Sequence, residues 1–194
     1  MIIKEVPYNM KNTKICGRFA PTPSGRIHLG NIFCSLLAWL HAKSQGGEIV
    51  LRIEDLDKVR CPRPNADLLA KDLEWLGLTW DRGAYLSPDS ERYFQSQRFD
   101  IYAEYFDKLE AQDLIYPCFC SRGQLHAAEA PHLSDGRILY AGTCKNLTAS
   151  EREERAKLRQ PAYRLAVNGE PISFVDGNYG KQSYNLIEES GDFI

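Results

Sequence analysis

The chain has 194 residues, 43% of them hydrophobic and 26% charged, which suffices for one large or two small globular domains. Its formal net charge of −2 excludes attraction of nucleic acid by the overall field of the molecule, so any such contact needs a local basic patch. No apolar run is long enough to cross a bilayer, and residues 1–14 contain nothing resembling a signal peptide, so we expect a cytoplasmic protein.

The N-terminal half begins with the pattern of a βαβ unit. After a lead-in at 1–13, we expect a buried strand from Lys14 to Phe19, a helix from Gly30 that ends at Gly46-Gly47, and a second strand from Glu48 to Glu54. The predicted helix carries its large apolar residues on one side, at Ile32, Phe33, Leu36, Leu37, Trp39 and Leu40. The two strands of such a unit lie parallel in one sheet, which indicates an α/β fold.

Two further helices are predicted before the character of the sequence changes. Apolar residues recur at helical spacing from Asn65 to Leu76 and from Glu91 to Gln112, and we place a domain boundary between 112 and 113. The stretch from Ile115 to Cys144 is rich in Cys, Pro, Gly and His and has no long periodicity. A segment of this kind needs a staple to hold it together.

The C-terminal part is predicted to contain one more helix and a pair of strands. Thr148 is suited to cap a charged helix that ends near Arg159, since Glu151 follows at the spacing of a capping box. Tyr163 to Val167 and Ile172 to Val175 are predicted to pair around an Asn-Gly turn.

The segment from Arg18 to Asn31 follows the first strand and opens the first helix. Free N–H groups and the positive end of the dipole at a helix N-terminus attract phosphate. Gly25 and Gly30 allow the backbone to approach a ligand closely, and His28 can donate a hydrogen bond to a phosphate oxygen. Ligands of parallel sheets bind beyond the carboxyl ends of the strands, where this segment lies. The alternative is an ordinary Pro/Gly turn before a helix cap.

Two motifs carry a family resemblance. His28-Leu29-Gly30-Asn31 resembles the HIGH signature of class I aminoacyl-tRNA synthetases, with Asn31 in place of the second histidine. The preceding residues, Arg-Phe-Ala-Pro-Thr-Pro-Ser-Gly, are similar to the glutamyl branch of that family, as is Arg52 to Asp57 with Arg60 after it. The resemblance implies that 14–112 form the first half of a Rossmann-like ATP- and glutamate-binding domain and that 113–194 form a small zinc-stapled α+β insert.

The resemblance also implies roles for individual residues. Arg18 pairs with the side-chain carboxylate of glutamate, a group that the guanidinium fork fits well, and Glu54 takes the ammonium group. The remaining contacts to glutamate are expected from Phe19, Ala20, Pro21 and Thr22. The ATP phosphates and the catalytic step are expected at His28, Gly30 and Asn31. The alternatives are a surface charge at Arg18 and a solvated acidic loop at Glu54, Asp55 and Asp57.

The six cysteines fall into two groups. Cys16, Cys34 and Cys61 lie in apolar or strand-like surroundings and are predicted to be small buried hydrophobes. The other three, at Cys118, Cys120 and Cys144, form a cluster of the kind that binds metal in a reducing compartment.

Three thiolates need a fourth ligand to complete a tetrahedral zinc site. Chemistry alone favours a histidine, and His126 and His132 lie between the two halves of the cluster. The pattern Cys-x-Cys followed by Tyr-x-x-x-Cys resembles instead the glutamyl-queuosine tRNA(Asp) synthetases, in which a tyrosine oxygen closes the shell. That resemblance implies Tyr140 as the fourth ligand, with 127–137 as an insertion between the halves.

The basic residues after the cluster admit two interpretations. They are Lys145, Arg152, Arg155, Lys157, Arg159 and Arg164. The family resemblance implies contact with tRNA in this region, but Glu151, Glu153 and Glu154 alternate with the basic residues. A solvated helix with mixed charge is therefore at least as well supported as a phosphate-binding face.

The implied reaction has two steps. Glutamate and ATP, with Mg²⁺, give glutamyl-adenylate and pyrophosphate, and the glutamyl group then passes to the queuosine base of tRNA(Asp). Alternatives are the N-terminal part of a glutamyl-tRNA synthetase and a non-catalytic fragment that binds ATP, glutamate or tRNA. The sequence lacks the family's KMSKS loop and its later glutamate-pocket residues, so we expect a C-terminally incomplete chain, and we expect a monomer.

Overall fold

A computed structural model describes residues 14–86, 88–125 and 139–194. The chain divides into two compact units, the first ending at Tyr102 and the second comprising Ala103–Ile194. The sequence placed this division between 112 and 113. Helix α3 (Phe99–Glu110) runs across the observed division.

The first unit contains the predicted βαβ arrangement. Its elements are β1 (Cys16–Phe19), α1 (Leu29–Lys43), β2 (Glu48–Leu51), α2 (Arg63–Trp75) and β3 (Arg82–Gly83). The strands form a parallel sheet in the order β1-β2-β3, with Cys16 opposite Glu48 and Phe19 opposite Leu51. Parallel strands end at one edge of their sheet, so the segments that follow β1 and β2 lie side by side. The backbone N–H of Glu54 confirms this, because it donates to the Pro21 carbonyl at 3.0 Å.

The core of the first unit lies between this sheet and its helices. Thirteen apolar residues form one buried cluster: Phe19, Ala42, Ile49, Leu51, Ile53, Ala66, Leu69, Ala70, Leu73, Leu78, Trp80, Ala84 and Phe94. Every second residue of β2 and its extension, at Ile49, Leu51 and Ile53, is completely buried. This alternation is expected of a strand with one face on a core.

Helix α1 meets the sheet with small residues, and several of the large apolar residues that the sequence places on one side remain exposed. A Cβ added to Gly17 would lie 2.8 Å from Ile49 Cδ1 and 3.3 Å from both Ala38 O and Ala42 Cβ. Backbones that approach this closely leave room only for small side chains. Phe33 and Leu37 therefore remain 57% and 50% exposed, while Ser35 and Ala42 are buried.

The predicted helix from Glu91 to Gln112 is wrong over its first part. Two 3₁₀ turns, Ser90–Tyr93 and Gln95–Gln97, precede α3. The backbone there is bonded to the extension of β2, since Ile53 N–H donates to Tyr93 O at 2.9 Å and Gln95 N–H donates to Ile53 O at 3.0 Å. Backbone groups that are hydrogen-bonded to a distant strand in this way cannot also form the hydrogen bonds of an α-helix.

The second unit contains two small antiparallel sheets and short helices. Its elements after α3 are β4 (Ile115–Cys118), α4 (Arg122–Leu125), α5 (Ala149–Leu158), β5 (Ala162–Leu165), β6 (Ile172–Asp176), β7 (Gly180–Tyr184) and α6 (Leu186–Glu189). Strand β4 pairs with β5, and β6 pairs with β7. The predicted pairing of the segments now seen as β5 and β6 is therefore wrong: β5 pairs with β4, far earlier in the chain, and β6 pairs with β7, which follows it directly.

The capping box of α5 is confirmed. The Thr148 hydroxyl accepts from the Glu151 N–H at 3.3 Å, and the Glu151 carboxylate accepts from the Thr148 N–H at 2.8 Å. Within the three described stretches, no helix combines the length and apolarity needed to traverse a bilayer.

Candidate functional site

Seven of the residues predicted at the phosphate-binding segment surround one cavity at the end of β1. We call it the strand-end cavity; it has a volume of about 370 Å³ and is lined by Arg18, Phe19, Ala20, Pro21, His28, Gly30, Asn31, Cys34 and Ser35. The other two predicted residues, Thr22 and Glu54, line a separate cavity of about 260 Å³ with Leu56, Asp57, Arg60 and Cys61. The hydrogen bond between Glu54 N–H and Pro21 O joins the two walls.

His28 and Gly30 form one steric unit at the start of α1. His28 is the N-cap residue in extended conformation, and its side chain makes no capping hydrogen bond. The imidazole lies over Gly30, where an added Cβ would be 3.2 Å from Cε1 and 3.3 Å from Nδ1. The first turn of α1 carries no acidic residue. The N–H groups and the helix dipole at this end therefore remain available to an anion.

The segment from Arg18 to Pro21 contributes one side chain suited to binding a charged ligand. Phe19 is 1% exposed and belongs to the core, so its side chain cannot contact a ligand. Pro21 is also buried. Arg18 is exposed, lines the strand-end cavity and also faces a second cavity of about 610 Å³ with Arg52, Arg92 and Arg98. Arginines concentrated in this way favour an anionic ligand on this side of the sheet.

Glu54 is held in place by its neighbour Arg52. The Arg52 Nε and Nη2 atoms both lie 2.5 Å from Glu54 Oε1, and the Glu54 side chain is 26% exposed. The second carboxylate oxygen is left for another partner. A half-exposed carboxylate fixed by a guanidinium can receive the ammonium group of a small ligand.

Asp55 proves to be a structural residue, which corrects the alternative of a solvated acidic loop at this position. It is 8% exposed and accepts hydrogen bonds from Ser96 N–H at 2.9 Å and Ser96 Oγ at 2.7 Å. These bonds fix the loop that carries Glu54. Every second residue from Ile49 to Ile53 is buried, and the same alternation continued to 55 predicts a buried side chain there. The sequence therefore contained a signal for this role.

Arg26 is a second anchoring residue that the sequence did not reveal. Its guanidinium forms a two-point ion pair with Asp72 of α2, with distances of 3.0 and 2.8 Å. This pair connects the middle of the phosphate-binding segment to a helix 46 residues further along the chain. No local pattern indicates such a contact.

The three clustered cysteines of the second unit come together as predicted. The sulfur atoms of Cys118, Cys120 and Cys144 lie within 4.8 Å of one another. Tyr140 Oη lies 3.4 Å from Cys118 Sγ and accepts from the Cys144 N–H at 2.9 Å. This group of four can hold a metal ion. His126 and His132, the alternative fourth ligands, lie outside the described residues.

The thiols of this cluster differ in their tendency to ionise. Burial opposes ionisation of Cys118, but hydrogen bonds with Tyr140 and Arg164 outweigh it and lower its pKa to about 7. Burial and the adjacent thiols raise the pKa of Cys120 to about 12. One thiol thus ionises readily without a metal, while a bound cation is needed to deprotonate the other at neutral pH.

The remaining cysteines only partly match the expectation of buried hydrophobes. Cys61 is buried, and burial raises its pKa. Cys16 and Cys34 are exposed. Cys34 lies on α1 but not among the small residues of that helix that are buried, which are Ser35 and Ala42. Cys16 lies on the face of β1 away from the core.

The basic residues after the cluster do not form one surface. Arg164 is 6% exposed, and Lys145 forms an ion pair of 2.9 Å with Asp192. Lys157 pairs with Glu154 on α5. One of these cations is buried and two are paired with carboxylates, which favours the interpretation of α5 as a solvated helix of mixed charge.

The amino-acid sequence is similar to those of known tRNA synthetases. The sequence profile of "tRNA synthetases class I (E and Q), catalytic domain" matches residues 14–186. A glutamyl-Q tRNA(Asp) synthetase of Symbiobacterium thermophilum is 45% identical over 183 residues, which cover 93% of this chain and 56% of the relative. A glutamate–tRNA ligase 2 of Alkalilimnicola ehrlichii is 42% identical over 188 residues, covering 95% of this chain and 39% of the relative.

Solved structures show the same likeness. The crystal structure of a glutamate tRNA ligase from Elizabethkingia meningosepticum in complex with its amino acid has a TM-score of 0.66 and 27% identity, and the alignment covers 93% of this chain and 38% of that one. The present chain spans 56% of the length of the first curated relatives that it matches.

Proposed function

The chain belongs to the class I tRNA synthetases of the glutamate and glutamine type, and we propose that it supplies the ATP- and glutamate-binding part of a glutamyl-queuosine tRNA(Asp) synthetase. The class I catalytic-domain fold and the relatives' ligase names support a ligase. In the proposed reaction, the enzyme activates glutamate with ATP and transfers it to queuosine in tRNA(Asp).

Two neighbouring cavities carry this proposal: Arg18 lines the strand-end cavity, and Glu54 lines the separate cavity across the Glu54–Pro21 hydrogen bond. Arg18 offers a guanidinium to the side-chain carboxylate of glutamate, and the free oxygen of Glu54 offers a partner for its ammonium group. An α-carboxylate oxygen of the amino acid then attacks the α-phosphorus of ATP, and the bond to the β-phosphate oxygen breaks to release pyrophosphate. Mg²⁺ accompanies ATP as its counter-ion.

The start of α1 is suited to the charge that develops in this step. The His28 side chain makes no capping hydrogen bond, and its ring lies over Gly30. A donor fixed in this position stabilises phosphate charge without reorganisation, and the free N–H groups of the first turn add to it. No covalent nucleophile is required, because alignment of the two reactants accounts for much of the rate. We assign the catalytic role to His28, Gly30 and Asn31 on this basis.

The acceptor is proposed from the cysteine cluster and the relatives together. Cys118, Cys120, Tyr140 and Cys144 have the spacing that resembles the glutamyl-queuosine branch, and two relatives carry that name at 45% and 42% identity. The second candidate is the N-terminal part of a glutamyl-tRNA synthetase, which the 42% identity to the Alkalilimnicola ligase favours.

We infer that the cluster holds a structural zinc ion. A tetrahedral ion with Zn–S bonds of about 2.3 Å holds its sulfur ligands ~3.8 Å apart. The Cys120 and Cys144 sulfurs are separated by 3.7 Å, and the Cys118 sulfur lies 3.4 Å from Tyr140 Oη. The residues therefore fit the ion, which would fasten β4 to the segment before α5. We also propose a cytoplasmic monomer; the six cysteines form no disulfide, as is usual in a reducing compartment.

Glutamate binding tests the proposed pocket. Isothermal titration in the presence of a non-hydrolysable ATP analogue should show binding of L-glutamate and much weaker binding of L-glutamine. Arg18→Ala should reduce glutamate affinity roughly 10- to 100-fold, since a charge-assisted hydrogen bond is lost. Arg82→Ala is the matched control, because Arg82 pairs with Glu48 and lines none of the three cavities. Equal affinity for glutamine, or equal loss in the control, would contradict the assignment.

Transfer of labelled glutamate tests the acceptor. We expect tRNA(Asp) that contains queuosine to be charged and tRNA(Asp) that lacks it to remain uncharged. Charging of tRNA(Glu) at its terminal ribose would support the second candidate instead. Absence of both charging and glutamate-dependent pyrophosphate exchange, with glutamate binding intact, would leave a binding fragment.

A further inference from the structure

Arg164 is a buried cation with no carboxylate partner among the described residues. It lies on β5 and is 6% exposed, and its Nη1 donates to the backbone carbonyl of Asp192 at 2.7 Å. Its guanidinium carbon lies 3.7 Å from the centre of the Tyr140 ring. Nε is buried without a hydrogen-bond partner in the described part of the chain. A buried guanidinium is costly unless a negative charge lies near it.

The cysteine cluster is the source of that negative charge. Three thiolates around a divalent ion carry a net charge of −1. Lys145 follows Cys144 directly but is engaged by the Asp192 carboxylate at 2.9 Å. Arg155 Nη1 lies 4.0 Å from Cys144 Sγ, at the outer limit of a hydrogen bond to sulfur. Arg164 is thus the buried cation placed to offset the charge on the Tyr140 side.

The same arginine connects the cluster to the segment 191–193. The Asp192 carboxylate is 95% buried and accepts from Tyr116 Oη at 2.6 Å and from Val167 N–H at 2.7 Å. Leu165 N–H donates to Phe193 O at 2.8 Å. A Cβ on Gly191 would lie 3.0 Å from the Tyr140 carbonyl oxygen. Segment 191–193 is therefore packed against the residue proposed as the fourth metal ligand and is bonded to both sides of the cluster.

We propose that Arg164 is a positioning residue that orients Tyr140 and offsets the charge of the metal-bound cluster, so that metal binding and the seating of segment 191–193 are coupled. The proposal rests on the zinc site proposed above. Its consequence is that the zinc ion does more than fasten β4: it fixes the path of the chain beyond β5 as well.

Zinc affinity tests the first half of the proposal. Competition with a chromophoric chelator should show a 10- to 100-fold lower affinity for Arg164→Gln, the range expected when a residue supporting metal ligands is lost. Arg164→Lys should fall between this variant and the wild type, since it keeps the charge but cannot both stack on Tyr140 and bond Asp192. Arg159→Gln is the control, because Arg159 is an exposed cation at the end of α5.

Amide hydrogen exchange tests the coupling. Chelation of zinc from the wild type should accelerate exchange at Leu165 and Val167, whose N–H groups donate to segment 191–193. In Arg164→Gln these amides should exchange fast even with zinc bound, and Arg164→Lys provides the same readout if the glutamine variant does not fold. Normal zinc affinity in both Arg164 variants, or wild-type protection of these two amides in the zinc-bound variants, would overturn the inference while leaving the zinc site intact. A wild type that binds no zinc would overturn both.

Discussion

The two units of this chain are stabilised by different means. The first unit has thirteen buried apolar residues in one cluster between a parallel sheet and its helices. Among its described residues the second has four, at Tyr116, Cys118, Phe119 and Cys144, and two of them are cysteines of the cluster proposed to bind zinc. Apolar burial is the main favourable contribution to folding. The first unit therefore holds its site by packing, whereas we expect the second to depend on the metal ion proposed at its cysteine cluster.

Loss of the metal should have the largest effect, and it should be confined to the second unit. We expect zinc chelation, or Cys144→Ser, to unfold 103–194, because the binding free energy of a structural zinc is also folding free energy, about 10–16 kcal/mol in small peptides. Hydrogen exchange measured by mass spectrometry should show loss of protection there and unchanged protection in β1 and β2. Cys34→Ser is the control, since Cys34 is exposed. Equal loss of protection in both units would remove the distinction between them.

A cavity created in the core of the first unit should destabilise that unit and leave the second unit unaffected. Leu73 is completely buried in that core. Leu73→Ala should lower the free energy of unfolding of the first unit by about 2–5 kcal/mol, since it removes buried methyl groups and leaves a void. Zinc content should stay at the wild-type level. Denaturant titration followed unit by unit, together with metal analysis, checks both expectations, and a loss of zinc in this variant would show that the second unit depends on the first.

A substitution at Gly30 should separate binding from stability within the first unit. Gly30→Ala places a methyl group 3.2 Å from the His28 ring. The ring must move, so we expect ATP affinity to fall several-fold. The helix itself should be unchanged or stabilised by up to about 1 kcal/mol, because alanine favours helix over glycine. Gly123→Ala, at an open position of the second unit, is the control for titration and melting. Unchanged ATP affinity would exclude a role for the His28 ring.

The smallest predicted effect concerns the capping box of α5. Thr148→Ala should lower the free energy of unfolding of the second unit by about 1 kcal/mol. Hydrogen bonds from the Thr148 N–H and hydroxyl lower the pKa of Glu151. The cap therefore contributes stability above the ordinary carboxyl pKa and loses it as the pH falls through the lowered folded-state value. The difference between the melting curves of the two proteins should narrow at acidic pH, because protonation of Glu151 removes the bond from the Thr148 hydroxyl to its carboxylate, while the hydroxyl still accepts from the Glu151 N–H. A constant difference would mean that the Glu151 carboxylate takes no part.

Local patterns predicted the parts of the fold that depend on neighbouring residues. The βαβ unit follows from strand and helix periodicity with glycine stops, and the capping box follows from residues three positions apart. The outward orientation of Phe33 and Leu37 could not be predicted in this way, because periodicity defines a stripe on a helix but not what the stripe faces. Contacts of Gly17 with Ala38 and Ala42 decide that instead.

Long-range contacts account for most of what the sequence did not reveal. The 3₁₀ turns before α3 depend on Asp55 and Ile53, some forty residues earlier in the chain. Strand β5 (162–165) pairs with β4 (115–118), more than forty residues earlier in the chain. Pro117 lies within β4, and a proline argues against a strand in sequence-based prediction. At the site, residue types and spacing indicated His28 and Gly30, and the family resemblance implied Arg18. The supporting residues Arg26 and Arg164 carry no local pattern.

The central claim is that the first unit alone binds the substrates, on the segment from Arg18 to Asn31 and at Glu54. Chemical-shift mapping of the ¹⁵N-labelled chain with L-glutamate and a non-hydrolysable ATP analogue tests it most directly. We predict saturable shifts at the backbone amides of that segment and of Glu54, with the amides of β6 and β7 in the second unit unchanged. Absence of shifts at the segment, or equal shifts with L-glutamine in place of L-glutamate, would contradict the account.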